Sequence, residues 1–188
     1  MLERMLINGA YESGVYAQGF RLLDALYMFG MIFAGLLFPL FSKQLKESIP
    51  AVLELVKTSA NLLLSGVLII IFITCYNSSF LLGLIYSDYQ EAIEPFQFLM
   101  LGFFPICMNF IFGTLLTTNG NLKALNFISL GGIIANVCIN LWLIPKYGAL
   151  GAAIATFFTQ LVTAILQYFY CVVTVSYTHL TLPTTPYV

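Results

Sequence analysis

The amino-acid sequence predicts an all-α, polytopic membrane protein with about five transmembrane helices, since a bilayer core of about 30 Å needs about 20 mostly apolar residues per helix. Hydrophobic residues make up 60% of the chain and charged residues only 8%, with a mean hydropathy of +0.94. A soluble domain carries about a quarter charged residues. The apolar residues are also gathered into long runs, and turn and charge signals separate these runs.

The apolar runs predict spans at residues 15–41, 58–76, 96–116, 122–144 and 149–173. The segments between them contain SKQLKESIP, SDYQEAIEP, TTNGNLK and PKYG, in which charges, Pro and Gly interrupt the apolar pattern. Prolines inside spans are tolerated because neighbouring helices can satisfy the freed carbonyls.

The fourth and fifth spans are predicted to form a tight hairpin across IPKYG. Small residues four apart let helix backbones approach closely in lipid. Such pairs are Gly131/Ala135, Gly148/Ala152 and Gly151/Ala155. Close packing is a sufficient reason for these glycines.

The positions of Lys and Arg predict the orientation of the chain, because cytoplasmic loops are enriched in both residues. On one side of the membrane lie Lys43, Lys46, Lys57 and Lys123. On the other side lie Arg4, Lys146 and an acidic loop with Asp88, Glu91 and Glu94. The lysine-rich side is therefore predicted to be cytoplasmic, with the start of the chain outside and the end of the fifth span inside.

Arg21 and Asp24 are charged residues within the first span, and their spacing of three lets them share a helix face and pair. A charge at the bilayer centre costs about 2.5–3.5 kcal/mol on insertion scales, so such residues usually face a cavity or a partner. Arg21 could instead extend toward the outer headgroups, since helical side chains point toward the N-terminus. Both interpretations stay open at this stage.

Several amides also lie within spans, namely Gln18, Asn109, Asn136 and Asn140. Asn136 and Asn140 are four residues apart and so lie on one face of the fourth helix. Amides in membrane helices more often bridge helices, for about 1 kcal/mol or less each, than bind substrate. A role in substrate binding is the alternative for each of them.

Composition and motifs give little support to catalysis, metal binding or nucleic-acid binding. The net charge of −1 provides no cationic cluster of the kind that neutralises nucleic-acid phosphates. The cysteines have no metal-ligand spacing, and the only histidine, His179, lies in the unusual last segment. Nucleophile-elbow and phosphate-loop patterns are absent from the sequence. We therefore expect no enzyme activity, no metal and no cofactor.

Two stretches of the chain resemble a known transporter family. The stretch ESGVYAQGFRLLDALYMFGMIFAGLLFPLFSKQ resembles a helix that opens like vG-Y-aa-rl and ends like P-lS. The stretch LTTNGNLKALNFISLGGIIANVCINLWLIPKYGALGAAIAT resembles a later signature, with an Asn-bearing helix before lIP-yG-xGAA-AT. On these motifs, residues 1–173 are similar to the multidrug/oligosaccharidyl-lipid/polysaccharide exporter superfamily, and most similar to its O-antigen and teichoic-acid-type polysaccharide flippases.

The resemblance implies a transporter of twelve to fourteen helices, arranged as two six-helix lobes around a central cavity. The five spans would be helices eight to twelve, most of the second lobe, and residues 1–14 would be the end of the preceding helix and an outer loop. This C-terminal-half fragment is expected to be inactive alone. The family flips undecaprenyl-pyrophosphate-linked oligosaccharides across the bacterial cytoplasmic membrane by alternating access, for lipopolysaccharide and other surface polysaccharides. The implied partners are the lipid bilayer, the lipid-linked oligosaccharide and the first lobe.

The resemblance also suggests roles for the polar residues within the spans. Arg21 becomes the best candidate for contact with a pyrophosphate or an acidic sugar, and Asp24 would orient or neutralise it. Gln18, Asn136 and Asn140 are the further candidates for substrate binding.

Two other functions are weighed against the flippase. A multidrug or cation-coupled antiporter of the same superfamily would want acidic cavity residues, and Asp24 is the only acid well within a span. A membrane enzyme of polysaccharide assembly usually has large outer loops with catalytic Arg or His. The longest outer loop here, at residues 77–95, is short and acidic.

The last segment, residues 174–188, reads TVSYTHLTLPTTPYV and differs from the rest in its content of Thr and Pro. An amphipathic anchor is disfavoured because Pro183 and Pro186 break helices, and one histidine is no metal site. The codons GTC TCT TAT ACA CAT CTG ACG CTG CCG ACG encode residues 175–184 without a mismatch, and that DNA resembles the mosaic-end adapter of transposase-based sequencing libraries. We expect a non-native, disordered, functionless tail, with the natural protein continuing past residue 173.

Overall fold

The computed structural model describes the backbone of residues 1–181 and the side chains of residues 1–174. The helices are α1 (Leu2–Met5), α2 (Gly9–Glu47), α3 (Ile49–Tyr76), α4 (Ser78–Ile85), α5 (Ile93–Thr118) and α6 (Leu122–Thr181). A 3₁₀ turn at Gln90–Ala92 precedes α5. Four of these helices, α2, α3, α5 and α6, are long and apolar enough to cross a membrane. The predicted fold class, an all-α polytopic membrane protein, is confirmed.

Helix α6 reverses direction at Gly148, whose φ of 54° and ψ of −129° are non-helical. Glycine adopts such a conformation without steric cost because it has no Cβ. Across the reversal, Asn136 Nδ2 donates a hydrogen bond of 3.3 Å to Thr159 Oγ1. The two arms, α6a (122–147) and α6b (149–181), therefore pack side by side in opposite directions. They correspond to the fourth and fifth predicted spans, and the predicted hairpin is confirmed.

The small residues of the hairpin differ in what they contact. A Cβ on Gly151 would lie 2.5 Å from the Leu143 carbonyl oxygen, so the backbones touch there as predicted. In α6a the tight position is Gly132, where a Cβ would lie 2.8 Å from Thr163 Oγ1. Gly131 has open space around it, so the predicted role of Gly131 in helix packing is wrong. One residue of helical rotation, about 100°, moves the contact from Gly131 to Gly132.

Helix α5 lies at the centre of the bundle. In its most apolar window 61% of the residues are buried inside the protein, against 17% in the windows of α2, α3 and α6. The backbone of α2 approaches closely at Gly19, where a Cβ would lie 3.0 Å from Phe96 Cα. A helix that is apolar on every side is stable when other helices surround it. The outer helices consequently turn one face to α5 and leave the others to the bilayer.

The helices have two ends with different compositions. At one end Phe41, Val52, Leu116 and Cys171 belong to one apolar cluster, which joins α2, α3, α5 and α6b. This end also carries lysines: Lys43 and Lys46 lie near the end of α2, and Lys123 lies at the start of α6a. Lys57 lies in the first part of α3. At the other end Leu2, Ile144 and Ala152 pack together. The alternating helices thus bring the four lysines to the same side, as the sequence predicts.

The helices extend beyond the predicted apolar spans. Helix α2 begins at Gly9, so part of the segment 1–14 that was expected to be a loop is helical. Helix α3 begins at Ile49, with Pro50 in its first turn, where a backbone N–H has no helical partner to lose. The outer segment 77–95 contains α4 and the 3₁₀ turn. Apolar length predicts only the part of a helix within the hydrocarbon, because polar ends can continue in the headgroup region.

The last segment is helical as far as Thr181, because α6b continues through residues 174–181. Disorder was expected there, so for these residues the expectation is wrong. The helix can continue because the first residue that breaks it is Pro183, and the residue before a proline is also disfavoured in a helix. Residues 182–188 and the side chain of His179 lie outside the described residues, and the adapter origin of the tail stays a prediction.

Candidate functional site

The charged pair of α2 lies on the exposed side of that helix. Both Arg21 and Asp24 are exposed. Arg21 lies two residues after the buried Gly19 and two residues before the buried Leu23. Two residues correspond to a turn of about 200° around the helix, so Arg21 lies on the side opposite both. Arg21 therefore points away from α5, and Asp24, three residues later, lies beside it.

Arg21 and Asp24 do not form the predicted ion pair. Among the residues whose side chains are described, the ion pair present is Lys43 Nζ to Glu47 Oε1, at 3.9 Å on the surface. An exposed pair contributes only about 0–1 kcal/mol, which the entropy of two held side chains offsets. The two charges consequently remain separate groups that a ligand or another protein surface can contact.

An open groove lies between α2, α5 and the two arms of α6, with a cavity volume of about 380 Å³. We call it the amide groove and define it by its polar residues Asn109, Thr114, Thr117, Asn126, Ser129, Gln160 and Gln167. Tyr27 and Phe38 of α2 and Phe110 of α5 form its aromatic border. The lining contains no Asp, Glu, Lys, Arg or His among the described residues.

Asn109 and Gln160 join α5 to α6b where these two helices line the groove. Asn109 Nδ2 donates a hydrogen bond of 2.8 Å to Gln160 Oε1 and so ties α5 to α6b. The carboxamide oxygen of Asn109 is buried and has no hydrogen-bond donor within the described residues. Asn109 therefore uses its donor within the protein, and its acceptor oxygen lies without a partner beneath the groove surface.

Gln167 is the most buried polar residue of the groove, with 4% of its surface exposed. Its Oε1 also has no donor partner within the described residues. Gly113 of α5 lies next to this side chain, and a Cβ there would be in van der Waals contact with Oε1, at 3.4 Å. Gln160 and Gln167 are seven residues apart and so share a face of α6b.

Asn136 and Asn140, the predicted substrate-binding amides of α6a, belong to the hairpin and do not line the groove. Asn140 Nδ2 donates to Asn136 Oδ1 at 2.8 Å, and Asn136 in turn donates to Thr159. This chain of hydrogen bonds joins α6a to α6b. The structure thus agrees with the interpretation of these two residues as a bridge between helices.

Gln18 lies near the outer end of α2, apart from the amide groove. Its Nε2 donates a hydrogen bond of 2.9 Å to the Asp88 carbonyl oxygen. Tyr11, Asp88 and Glu91 surround it in a small cavity of about 140 Å³. Gln18 therefore fastens α2 to the outer segment between α4 and α5, and the structure does not bring it together with Asn136 or Asn140.

Glu12 makes a long-range contact at the tip of the hairpin. Its Oε2 accepts a hydrogen bond of 2.7 Å from the backbone N–H of Ala149, the first residue of α6b. The first N–H groups of a helix have no partner within it, and the helix dipole favours a negative charge at this end. The carboxylate also lies directly against Gly148, in the space that a Cβ would fill.

Several groove residues were not predicted from the sequence, among them Asn126, Ser129, Gln160 and Gln167. A signal was present, since Asn126 and Ser129 are three apart and the two glutamines are seven apart in otherwise apolar helices. Spacing shows only that residues share a face. Which faces meet depends on the packing of α5 between α2 and α6, and this packing could not be read from the spacing.

The site combines two kinds of chemistry. Arg21 offers a cation that can donate two hydrogen bonds to a phosphate or carboxylate, whereas the amide groove offers neutral donors and acceptors. No protein-family model, curated protein or solved structure matches this chain. The function is therefore inferred from these residues and from the sequence motifs.

Proposed function

We propose that this chain forms one wall of the transport pathway of a flippase, which moves a lipid-linked oligosaccharide across the bacterial cytoplasmic membrane for surface polysaccharide synthesis. The observation that carries the proposal is the exposed, unpaired Arg21 within a helix long and apolar enough to cross a membrane. The first lobe of the transporter would face this wall. The lysine-rich end is cytoplasmic in this proposal.

The energetic cost of a charge in lipid supports a cavity next to Arg21 and Asp24. Each charge costs about 2.5–3.5 kcal/mol at the bilayer centre when no partner or water reaches it. Asp24 and the groove residue Tyr27 are three residues apart on α2, so they lie on neighbouring positions of one face. The charged pair therefore lies near the border of the amide groove, and we refer to the two together as the polar wall.

The chemistry of a lipid-linked oligosaccharide suits such a wall. Its pyrophosphate needs a cation, and a guanidinium group binds phosphate oxygens with two parallel hydrogen bonds. Its sugars need neutral hydrogen-bonding groups, and its prenyl chain can stay in the lipid. The wall provides a cation at Arg21 and neutral amides in the groove.

A cation-coupled antiporter is less well supported by the same wall. Coupling to a proton or a sodium ion needs a carboxylate in the cavity, and the amide groove has none among its described residues. Asp24 is exposed beside Arg21 and does not line the groove. The guanidinium of Arg21 and the neutral amides of the groove favour an anionic glycolipid as the substrate.

Complementation in cells tests the proposal. The full-length gene is expected to restore surface polysaccharide in a flippase-deficient strain, measured by antibody binding to intact cells. Arg21→Ala is expected to reduce export roughly 10- to 100-fold at equal protein level, because a hydrogen bond to a charged group contributes about 1.5–3 kcal/mol.

The matched control is Arg4→Ala, which removes a cation outside the predicted spans and is expected to export normally. The proposal is wrong if well-expressed, membrane-inserted protein restores no surface polysaccharide. It also loses its main support if Arg21→Ala exports as well as Arg4→Ala.

A further inference from the structure

We infer that the amide groove binds an uncharged, hydroxyl-rich group, the sugar part of the substrate, and that the pyrophosphate binds outside the groove. The identification of that sugar as part of a lipid-linked oligosaccharide rests on the proposed function. The chemical class of the ligand rests on the groove itself, through two buried acceptors, the absence of charge and an aromatic border.

The two acceptors call for a donor from outside the protein. Gln167 Oε1 and Asn109 Oδ1 are both buried, and neither has a donor among the described residues. A buried acceptor without a donor costs about 1–3 kcal/mol. Both oxygens have almost no exposed surface as they stand, but both residues line the same groove. A turn of each carboxamide toward the groove would let the O–H groups of a ligand donate to them.

The charge of the groove distinguishes between classes of ligand. A phosphate or carboxylate brings only acceptors, so it could use the amide and hydroxyl donors of the groove but not its acceptor oxygens, and the described lining has no cation to balance its charge. An organic cation would bring donors, but the described lining holds no carboxylate to balance its charge. A sugar hydroxyl both donates and accepts, so it matches amide and hydroxyl side chains without a counter-charge.

The border and size of the groove also match a sugar. Tyr27 and Phe110 pack edge to face, with ring centroids 4.9 Å apart, and form an apolar wall against which the C–H face of a sugar ring can lie. The cavity volume of about 380 Å³ is within the range of roughly 300–1,000 Å³ that small-molecule sites occupy.

The groove is separate from the charged pair but lies close to it. At about 1.5 Å per residue, Tyr27 lies about 9 Å and Phe38 about 25 Å from Arg21 along α2. The groove thus extends from near Arg21 toward the lysine-rich end. A substrate with its pyrophosphate at Arg21 would reach the groove with the sugars that follow.

A binding measurement on the chain in phosphatidylcholine nanodiscs tests this assignment. Saturation-transfer NMR would use methyl β-maltoside as the neutral probe and methyl diphosphate as the charged probe, with no glycoside detergent present. We expect saturation transfer to the maltoside, reduced about fivefold in Gln167→Leu, since a neutral hydrogen bond contributes about 1 kcal/mol. Added methyl diphosphate should leave the maltoside signal unchanged.

The control variant is Gln97→Leu, the same substitution at an amide that bonds to Cys75 and Ser78 away from the groove. It should bind the maltoside like the unsubstituted chain, with circular dichroism showing that both variants are folded. The assignment is overturned if the folded chain shows no saturation transfer to the maltoside, which would indicate a groove filled by water alone. Displacement by methyl diphosphate, or equal binding by Gln167→Leu, would also overturn it.

The two proposals can fail separately. Maltoside binding that depends on Gln167, together with no export in the flippase-deficient strain, would disprove the proposed function and keep the sugar site. Restored export without maltoside binding would disprove the sugar site and keep the flippase.

Discussion

Single residues at the tip of the α6 hairpin show how a local conformation and a distant side chain depend on each other. Gly148 has the backbone conformation that reverses the chain, and the Glu12 carboxylate lies against it while accepting from Ala149. The sequence predicts the turn from PKYG. It could not predict Glu12, because a contact between residues 137 positions apart depends on the packing of whole helices.

Gly148→Ala is predicted to destabilise the protein. A residue other than Gly in such a sparsely populated conformation costs about 1–3 kcal/mol, and the new Cβ would also displace the Glu12 carboxylate. The measurement is the midpoint of thermal unfolding in lipid nanodiscs, followed by circular dichroism. We expect a lower midpoint for Gly148→Ala.

Gly131→Ala is the matched control, because Gly131 is helical with open space around it. Alanine is a better helix former than glycine by about 0.8–1.0 kcal/mol, so the midpoint should stay or rise. A midpoint for Gly148→Ala equal to that of Gly131→Ala would contradict the assigned conformation of the turn.

At the scale of elements, the length of the apolar runs predicts the spans because hydrocarbon thickness sets a minimum helix length. The same criterion misses α4, since SSFLLGLI is apolar but too short to cross the bilayer. It also leaves open which small residues face a neighbour. The amide groove was missed for the same reason, since it forms only where α5 packs between α2 and α6.

Gly132→Leu is predicted to separate α6a from α6b, because even a Cβ there would lie 2.8 Å from Thr163 Oγ1. Overpacking of this kind typically costs about 1–3 kcal/mol. The thermal midpoint should therefore fall below that of Gly131→Leu, which adds the same side chain one residue away on an open surface. Equal midpoints for the two variants would show that the hairpin does not pack as described.

At the scale of the whole molecule, the chain has a central apolar helix, outer helices with lipid-suited faces, and one wall with charged and amide groups. Arg21 lies on the side of α2 that faces away from α5, and the groove begins about 9 Å farther along α2, at Tyr27, and extends toward the lysine-rich end. The amide groove could hold a polar headgroup within the membrane, while the apolar outer faces of the helices leave the attached lipid chain in the bilayer. The central claim is that this wall lines a water-filled cavity.

Cysteine accessibility in the full-length protein in its membrane tests that claim most directly. In a background with the native cysteines replaced, Asp24→Cys is compared with Leu62→Cys, which is exposed on α3. Both lie about 21–22 Å from the outer ends of their helices at about 1.5 Å per residue. A water-soluble methanethiosulfonate reagent is expected to label Asp24→Cys and to leave Leu62→Cys unlabelled, and equal protection of both cysteines would show that the wall faces lipid.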